Sequence, residues 1–252
     1  MNRSRYLQLL VSGLVVMAGA SSALAQQTPV ERARAQDASN DRGLLTSRAD
    51  TLREGEFSVN AYELFFIGGT YAFTDDFQVS FTTFPPIVED TPFLGIFNAK
   101  YVLMRSATTV VSAQAEGLIL RQDGVSAGTF GPSVQVDHHL ADGAFVLHGQ
   151  LSAQGVFGGF EDEVEVGEGA LVRLSAGVSA PLGEHVKLLG EVFVPAAFAE
   201  GEFEVAEVAL VNYGLRFHGG TIAADLAFLR PFGIDDNPFI LGIPFLGFSA
   251  RF

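Results

Sequence analysis

The 252-residue sequence contains no cysteine and no tryptophan. Without thiols the chain forms no disulfide, carries no lipid-attachment cysteine and offers no thiolate to a metal. Charge is scarce too. Only 17% of residues are Asp, Glu, Lys or Arg, against about 25% in ordinary soluble domains, and acids dominate, leaving a net charge of −14. Neither a basic patch for nucleic acid nor a phosphate-cradling glycine motif is present. Beyond residue 25 no segment reaches the about 20 uninterrupted apolar residues that a membrane helix needs. Any crossing of a bilayer therefore falls to strands, and the spanning arrangement open to strands is a closed barrel.

The first residues follow the order of a secretory signal peptide: basic Asn2-Arg3-Ser4-Arg5, apolar Leu7 to Ala20, then the small-x-small site Ala23-Leu24-Ala25. Cleavage is expected after Ala25, leaving residues 1–25 as the signal. Residues 26–55 are polar and charged, too hydrophilic for lipid and too few for a domain. They read as a periplasmic N-terminal tail, mostly flexible, with a plug inside a barrel lumen as the alternative.

From residue 56 to 252 the chain alternates. In Phe145 to Gln154 one face carries Leu147, Leu151 and Ala153, the other His148, Gln150, Ser152 and Gln154, because successive strand side chains point oppositely. Thr109 to Ile119 and Ala170 to Ala180 repeat the pattern. A soluble sandwich alternates as well, but its wet face is studded with Lys and Glu; here that face is Ser, Thr, Gln, Gly and Ala, which suits an enclosed interior. About twelve such runs follow Phe57, near 57–65, 67–74, 77–84, 93–104, 108–121, 126–138, 144–156, 169–180, 185–196, 205–217, 220–231 and 239–252. Short connections at Thr74 to Asp76, Arg105 to Ala107, Leu140 to Gly143, Pro181 to Glu184 and His218 to Gly220 alternate with mostly longer ones, the asymmetry of periplasmic turns and external loops. The predicted fold is all-β: a transmembrane antiparallel up-and-down barrel of about twelve strands. The first hairpin, around Phe65 to Gly69, is its weakest element.

The last segment, PFILGIPFLGFSARF, places Phe252, Ala250, Phe248 and Leu246 on one face and Arg251, Ser249, Gly247 and Phe245 on the other. It resembles the closing strand of bacterial outer-membrane β-barrels, whose terminal Phe is read by the barrel-insertion machinery. The resemblance implies an outer-membrane location and an insertion signal at Phe248 and Phe252. Thr51 to Glu56 similarly resembles the lead-in of uncharacterised Gram-negative barrel families, which brings no activity with it.

Strand parity assigns to the lumen Lys100, Gln114, Glu116, His148, Gln150, Arg173, Lys187, Glu191, Asn212, Arg216, Asp225, Asp137 and Arg251. Folding about the turns near Gly183 and Gly219 predicts that Arg173 meets Glu191 and that Asn212 meets Asp225. The acids Glu161, Asp162, Glu163, Glu165, Glu202, Glu204, Asp235 and Asp236 fall in or beside the proposed external loops. They predict an acidic mouth that concentrates cations within a Debye length of about 8 Å or holds divalent cations that bridge to lipopolysaccharide; simple solvation of the loops is the plainer reading. No EF-hand spacing, metal site or cofactor motif is found. Outer-membrane lipid hydrolases resemble one another in a His-x-Ser pair on one strand face, and no His here is so placed: Ser152 lies about 13 Å along the strand from His148. The reading is a non-enzymatic, narrow passive pore for small cationic or neutral solutes. A non-conducting structural or adhesion barrel is the alternative. The expected partners are outer-membrane lipid, lipopolysaccharide, the barrel-assembly machinery and divalent cations, with no nucleic acid.

Overall fold

The computed structural model describes residues 27–63, 66–84, 92–123, 125–140, 145–160, 165–199, 202–233 and 241–252. The proposed signal peptide lies outside them. Among the described residues one helix, α1 (Pro29–Gln36), precedes thirteen strands: β1 (Phe57–Tyr62), β2 (Phe66–Thr74), β3 (Phe77–Phe84), β4 (Phe93–Arg105), β5 (Thr109–Gln122), β6 (Val125–Leu140), β7 (Phe145–Phe160), β8 (Glu165–Pro181), β9 (Val186–Ala199), β10 (Glu202–Val205), β11 (Ala209–His218), β12 (Ile222–Phe232) and β13 (Ile243–Arg251).

Each neighbouring pair is antiparallel, β8 pairs with β9, and β13 returns to β1 with Ser58 opposite Arg251 and Tyr62 opposite Gly247, so the sheet closes on itself. The cylinder has twelve walls. Short β10 pairs along the same edge of β9 as β11, with Val205 opposite Ala196 and Leu210 opposite Phe193. It is the outward extension of β11 beyond an interruption at residues 206–208. Glu202 and Glu204 therefore sit on a strand arm, exposed, where the sequence predicts a loop from Ala197 to Glu204. Strands β7 and β8 likewise run past their expected ends into the predicted loop Phe157 to Glu168, with Gly158 opposite Glu165. The uncertain first hairpin is two strands, with Tyr62 opposite Phe66.

The burial pattern is inverted relative to a soluble domain. Phe97, Leu103, Phe130, Leu151, Leu174, Leu226 and Phe248 are exposed, whereas Ser112, Gln135, Asp137, Ser152, Ser175 and Ser249 are buried. Water cannot reward so many exposed rings and branched chains; hydrocarbon can, so this is a barrel built for lipid outside and polar contents inside.

Those contents are the chain's own. Between Val30 and Leu52 the chain is largely buried against the inside of the cylinder and bonds to its walls, so the reading as a mostly flexible tail is corrected in favour of the plug. Strand counting could not reveal this, because the segment's partners lie far away in sequence: Arg42 bonds Ser249 and Arg34 accepts from Arg251.

Candidate functional site

The plug starts at a capping box. Thr28 Oγ1 accepts from Glu31 N, Glu31 reaches back to Thr28 N, and Pro29 takes the first helical position, which together satisfy amides that a helix start leaves bare. α1 lies at the barrel end that carries the short turns. Ala38 N donates to Gly219 O at 2.9 Å, and Arg251 Nη1 donates to Arg34 O at 2.7 Å. The chain then climbs to a hairpin tip, closed by the Arg42–Ser47 bridge and by Gly43 N donating to Thr46 O, and descends to join β1. Apolar anchors hold each limb: Val30 and Ala49 pack with Val102 and Val110, and Leu44 packs with Leu189 and Ala227.

Two wall residues on adjacent strands grip the tip from its two chemical sides. Arg216, on β11 and 1% exposed, donates to the carbonyls of Ser39 at 2.8 Å, Arg42 at 3.0 Å and Gly43 at 2.7 Å while forming a two-pronged pair with Asp225. Glu191, on β9, accepts from the amides of Leu44 at 2.7 Å and Leu45 at 3.0 Å and from Thr46 Oγ1 at 2.7 Å. A guanidinium supplies only donors and a carboxylate only acceptors, so cation and anion divide the backbone of one turn between them. Gly43 makes this approach possible: a Cβ there would sit 1.7 Å from Glu191 Oε1. Gly43→Ala is expected to lift the tip off β9 at a cost of about 1–3 kcal/mol, seen as faster hydrogen exchange at residues 43–46 with the barrel amides unchanged.

Other walls hold the remaining plug. Arg48 pairs with Asp137 at 3.1 Å, Lys100 donates to Asp41 O and Asp50 O, Ser47 donates to Gln114, and Arg42 pairs with Asp225 at 3.2 Å. Asp50 meets Arg105 at 3.1 Å and Arg34 at 3.6 Å; its burial pushes its carboxyl above the ordinary value despite both guanidinium groups. Asp37 goes the other way. Burial alone would raise it, but Lys187 at 2.9 Å and Arg216 at 3.6 Å hold it well below the usual carboxylate range. A depressed carboxyl favours the docked state above its free value of about 3.9 and loses that contribution as pH falls through the docked value. Asp37→Asn is thus expected to loosen the plug at pH 7, and its difference from the unmodified protein should shrink as pH drops below about 4; opening frequency in a bilayer across pH checks this.

Lys100, Gln114, Glu116, His148, Gln150, Glu191, Asn212, Arg216 and Asp225 are buried, with Arg173 and Lys187 half-buried. Two expected pairings are corrected. Arg173 stands opposite Pro195 and bonds Glu116 at 2.8 Å, while Glu191 stands opposite Gly177. Asp225 stands opposite Arg216, and Asn212 opposite Leu229. Both hairpins turn about two residues later than expected, and each residue of turn displacement slides the partner by two. Of the acidic-mouth residues, Glu161, Asp162, Glu163, Asp235 and Asp236 lie outside the described residues. Glu165 falls on β8. Phe248 and Phe252 are exposed on the outer face of the last strand and its end.

The residues that sequence reasoning missed are those of the plug: Arg34, Asp37, Asp41, Arg42, Thr46, Arg48 and Asp50. The one local signal was Thr28-Pro29-Val30-Glu31, a helix start within an otherwise featureless polar stretch. The plug also brings Thr46 Oγ1 to 3.4 Å from His148 Nε2, with Glu191 Oε1 3.5 Å from the same nitrogen. In a nucleophilic triad the imidazole stands between hydroxyl and carboxylate, using one nitrogen for each. Here the hydroxyl donates directly to the carboxylate, an arrangement that docks the plug.

Beyond the tip lies a cup of about 570 Å³, lined by plug residues Asp41, Arg42, Leu45, Thr46 and Ser47 and by β1 to β5, β12 and β13. With the barrel, plug and cup described, comparison with known proteins adds an outline. No family model and no curated protein matches the sequence. Among solved structures, the chain is similar to the NanC porin at 6% identity and a TM-score of 0.45, over 78% of this chain and 97% of that one. It is similar to the KdgM porin in complex with disordered oligogalacturonate at 7% identity and a TM-score of 0.46, over 78% and 95%. A bacterial polysaccharide outer membrane secretin matches at 11% identity and a TM-score of 0.45, over 81% and 77%.

Proposed function

We propose that this outer-membrane barrel is a channel closed at rest by its own N-terminal segment, passing small neutral or cationic solutes when that segment shifts. The supporting observation is the chemistry of the plug–wall boundary. Among the described residues its fastenings are chiefly hydrogen bonds and ion pairs, alongside two small apolar clusters. Buried ion pairs contribute little net stability once the cost of removing water is counted. Lumen water can take over these fastenings when the plug moves, whereas an apolar core would resist release. Exposed Glu202, Glu204 and Glu207 favour cations over anions in this reading. Assembly through β13, with Phe248 and Phe252 on its outer side, and contact with lipopolysaccharide belong to the same proposal. No chemical step is assigned to the site.

Planar-bilayer recording tests it. The chain has no cysteine, so Ser47→Cys with Gln114→Cys, joined by a short bifunctional thiol reagent, tethers the plug to β5 and nowhere else. Openings with a cation preference are expected from the untethered protein and silence from the tethered one. Equal activity in both would defeat the plug as gate, and a folded protein that stays silent even without its plug would be a wall or adhesion protein.

A further inference from the structure

The cup has an unusual lining. On half of the barrel the inward face changes character along each strand. Reading outward from the plug on one face, Asn60 gives way to Tyr62, Thr70 to Phe66, Asn98 to Ile96, Ala227 to Leu229, and Ser249 to Phe245 and Ile243. These positions share the lumen face because they are separated by even numbers of residues. Cross-strand register groups them at one level: Tyr62 opposite Phe66, Leu229 opposite Ile243, with Tyr62 and Phe245 ring centroids 5.9 Å apart. The plug completes the patch from below. Its Leu45 is 45% exposed, beside Leu44 at 1%, and it lines the cup.

A water-filled porin lumen gains nothing from such a lining: Tyr62, Phe66, Ile96, Leu229 and Phe245 are half-buried, and the apolar surface they leave uncovered is unfavourable in water. The charged groups of the cup are already engaged. Arg42 is paired with Asp225, bonded to Ser249, and stacked 4.9 Å over Tyr62. Lys100 holds two plug carbonyls, Asp41 accepts from Gln78, and Glu63 accepts from Leu246 N. What remains to face a guest is neutral: the hydroxyls of Thr70 and Ser80 below an aromatic and branched aliphatic wall, with Thr82 at the level of Ile96.

We infer that the cup is a binding site for a neutral, compact molecule with an aromatic or alicyclic body and one or two hydroxyl or carbonyl groups, taken from the far side of the plug. A volume of about 570 Å³ lies within the span of small-molecule pockets. The inference deepens the channel reading by naming the solute class brought to the gate, and its test does not depend on conduction.

The absence of tryptophan allows a single reporter. Phe245→Trp places an indole in the cup, and Phe248→Trp places one on the lipid face. In protein reconstituted in nanodiscs, 4-bromophenol, neutral at pH 7, is expected to quench the first saturably and the second only in proportion to its partitioning into lipid. Adding Leu45→Asp to the first variant should weaken saturable quenching at least about tenfold, because an unpaired carboxylate resists burial against the guest. The anion 4-bromobenzoate should show no saturable phase. Linear quenching of Phe245→Trp, indistinguishable from Phe248→Trp, would overturn the inference, as would saturation unaffected by Leu45→Asp in a folded barrel. Saturable quenching in a protein that never conducts would support the site while removing the channel.

Discussion

A barrel lacking residues 27–53 should show unitary conductance several-fold larger than the full chain, with continuous rather than intermittent current. The expectation follows from what the segment occupies. It meets β4 through Lys100, β6 through Asp137, β9 through Glu191 and β11 through Arg216, so it bridges walls on several sides of the cylinder. Removing it exchanges those bonds for bonds to water, and twelve strands enclose a bore between that of barrels filled by side chains and that of wide porins. Closure of the wall does not depend on the plug, since β1 meets β13 directly. The deleted protein should still migrate as a folded, heat-modifiable band. A folded barrel whose conductance equals that of the full chain would mean that the plug does not obstruct the path.

Arg216→Ala is expected to release the plug tip in the intact chain. The guanidinium satisfies three plug carbonyls and both oxygens of Asp225. Its loss removes the donor to the Arg42 and Gly43 carbonyls and to Asp225 Oδ1, and removing one partner of a buried pair costs about 3–5 kcal/mol. Part of that is recovered if water enters, which is the opening itself. Arg42 remains to hold Asp225, so the wall should survive. Bilayer openings should rise sharply, and amides 39–46 should lose hydrogen-exchange protection before the strands do. Arg216→Lys should recover only part of the effect, because a point ammonium cannot reach three carbonyls and a two-pronged acid at once. Unchanged protection at the tip in Arg216→Ala would show that the carbonyl contacts do not fasten it.

Strand alternation made the wall legible. Most predicted strands match to within a few residues, and the residues that parity assigned to the lumen, from Lys100 to Asp225, are buried or half-buried. Height along the barrel was less legible. The placement of Arg173 beside Glu191 depends on where the turn after Pro181 is centred, and a small shift sends Arg173 to Glu116 across the lumen instead. The plug was least legible. Arg34, Asp37, Arg42 and Arg48 have the composition of a solvated tail, since charge without periodicity describes a disordered segment and a segment caged by distant charges equally well.

By itself the sequence determined the closed antiparallel barrel and its two-sided wall, because the two-residue period of a strand dictates which side chains share a face regardless of what lies beyond. The tertiary structure alone decided that the lumen is occupied, which charges meet there, and that half of its outer reach is apolar. Those outcomes depend on register and on contacts between residues such as Arg42 and Ser249, which only closure of the cylinder brings within bonding distance.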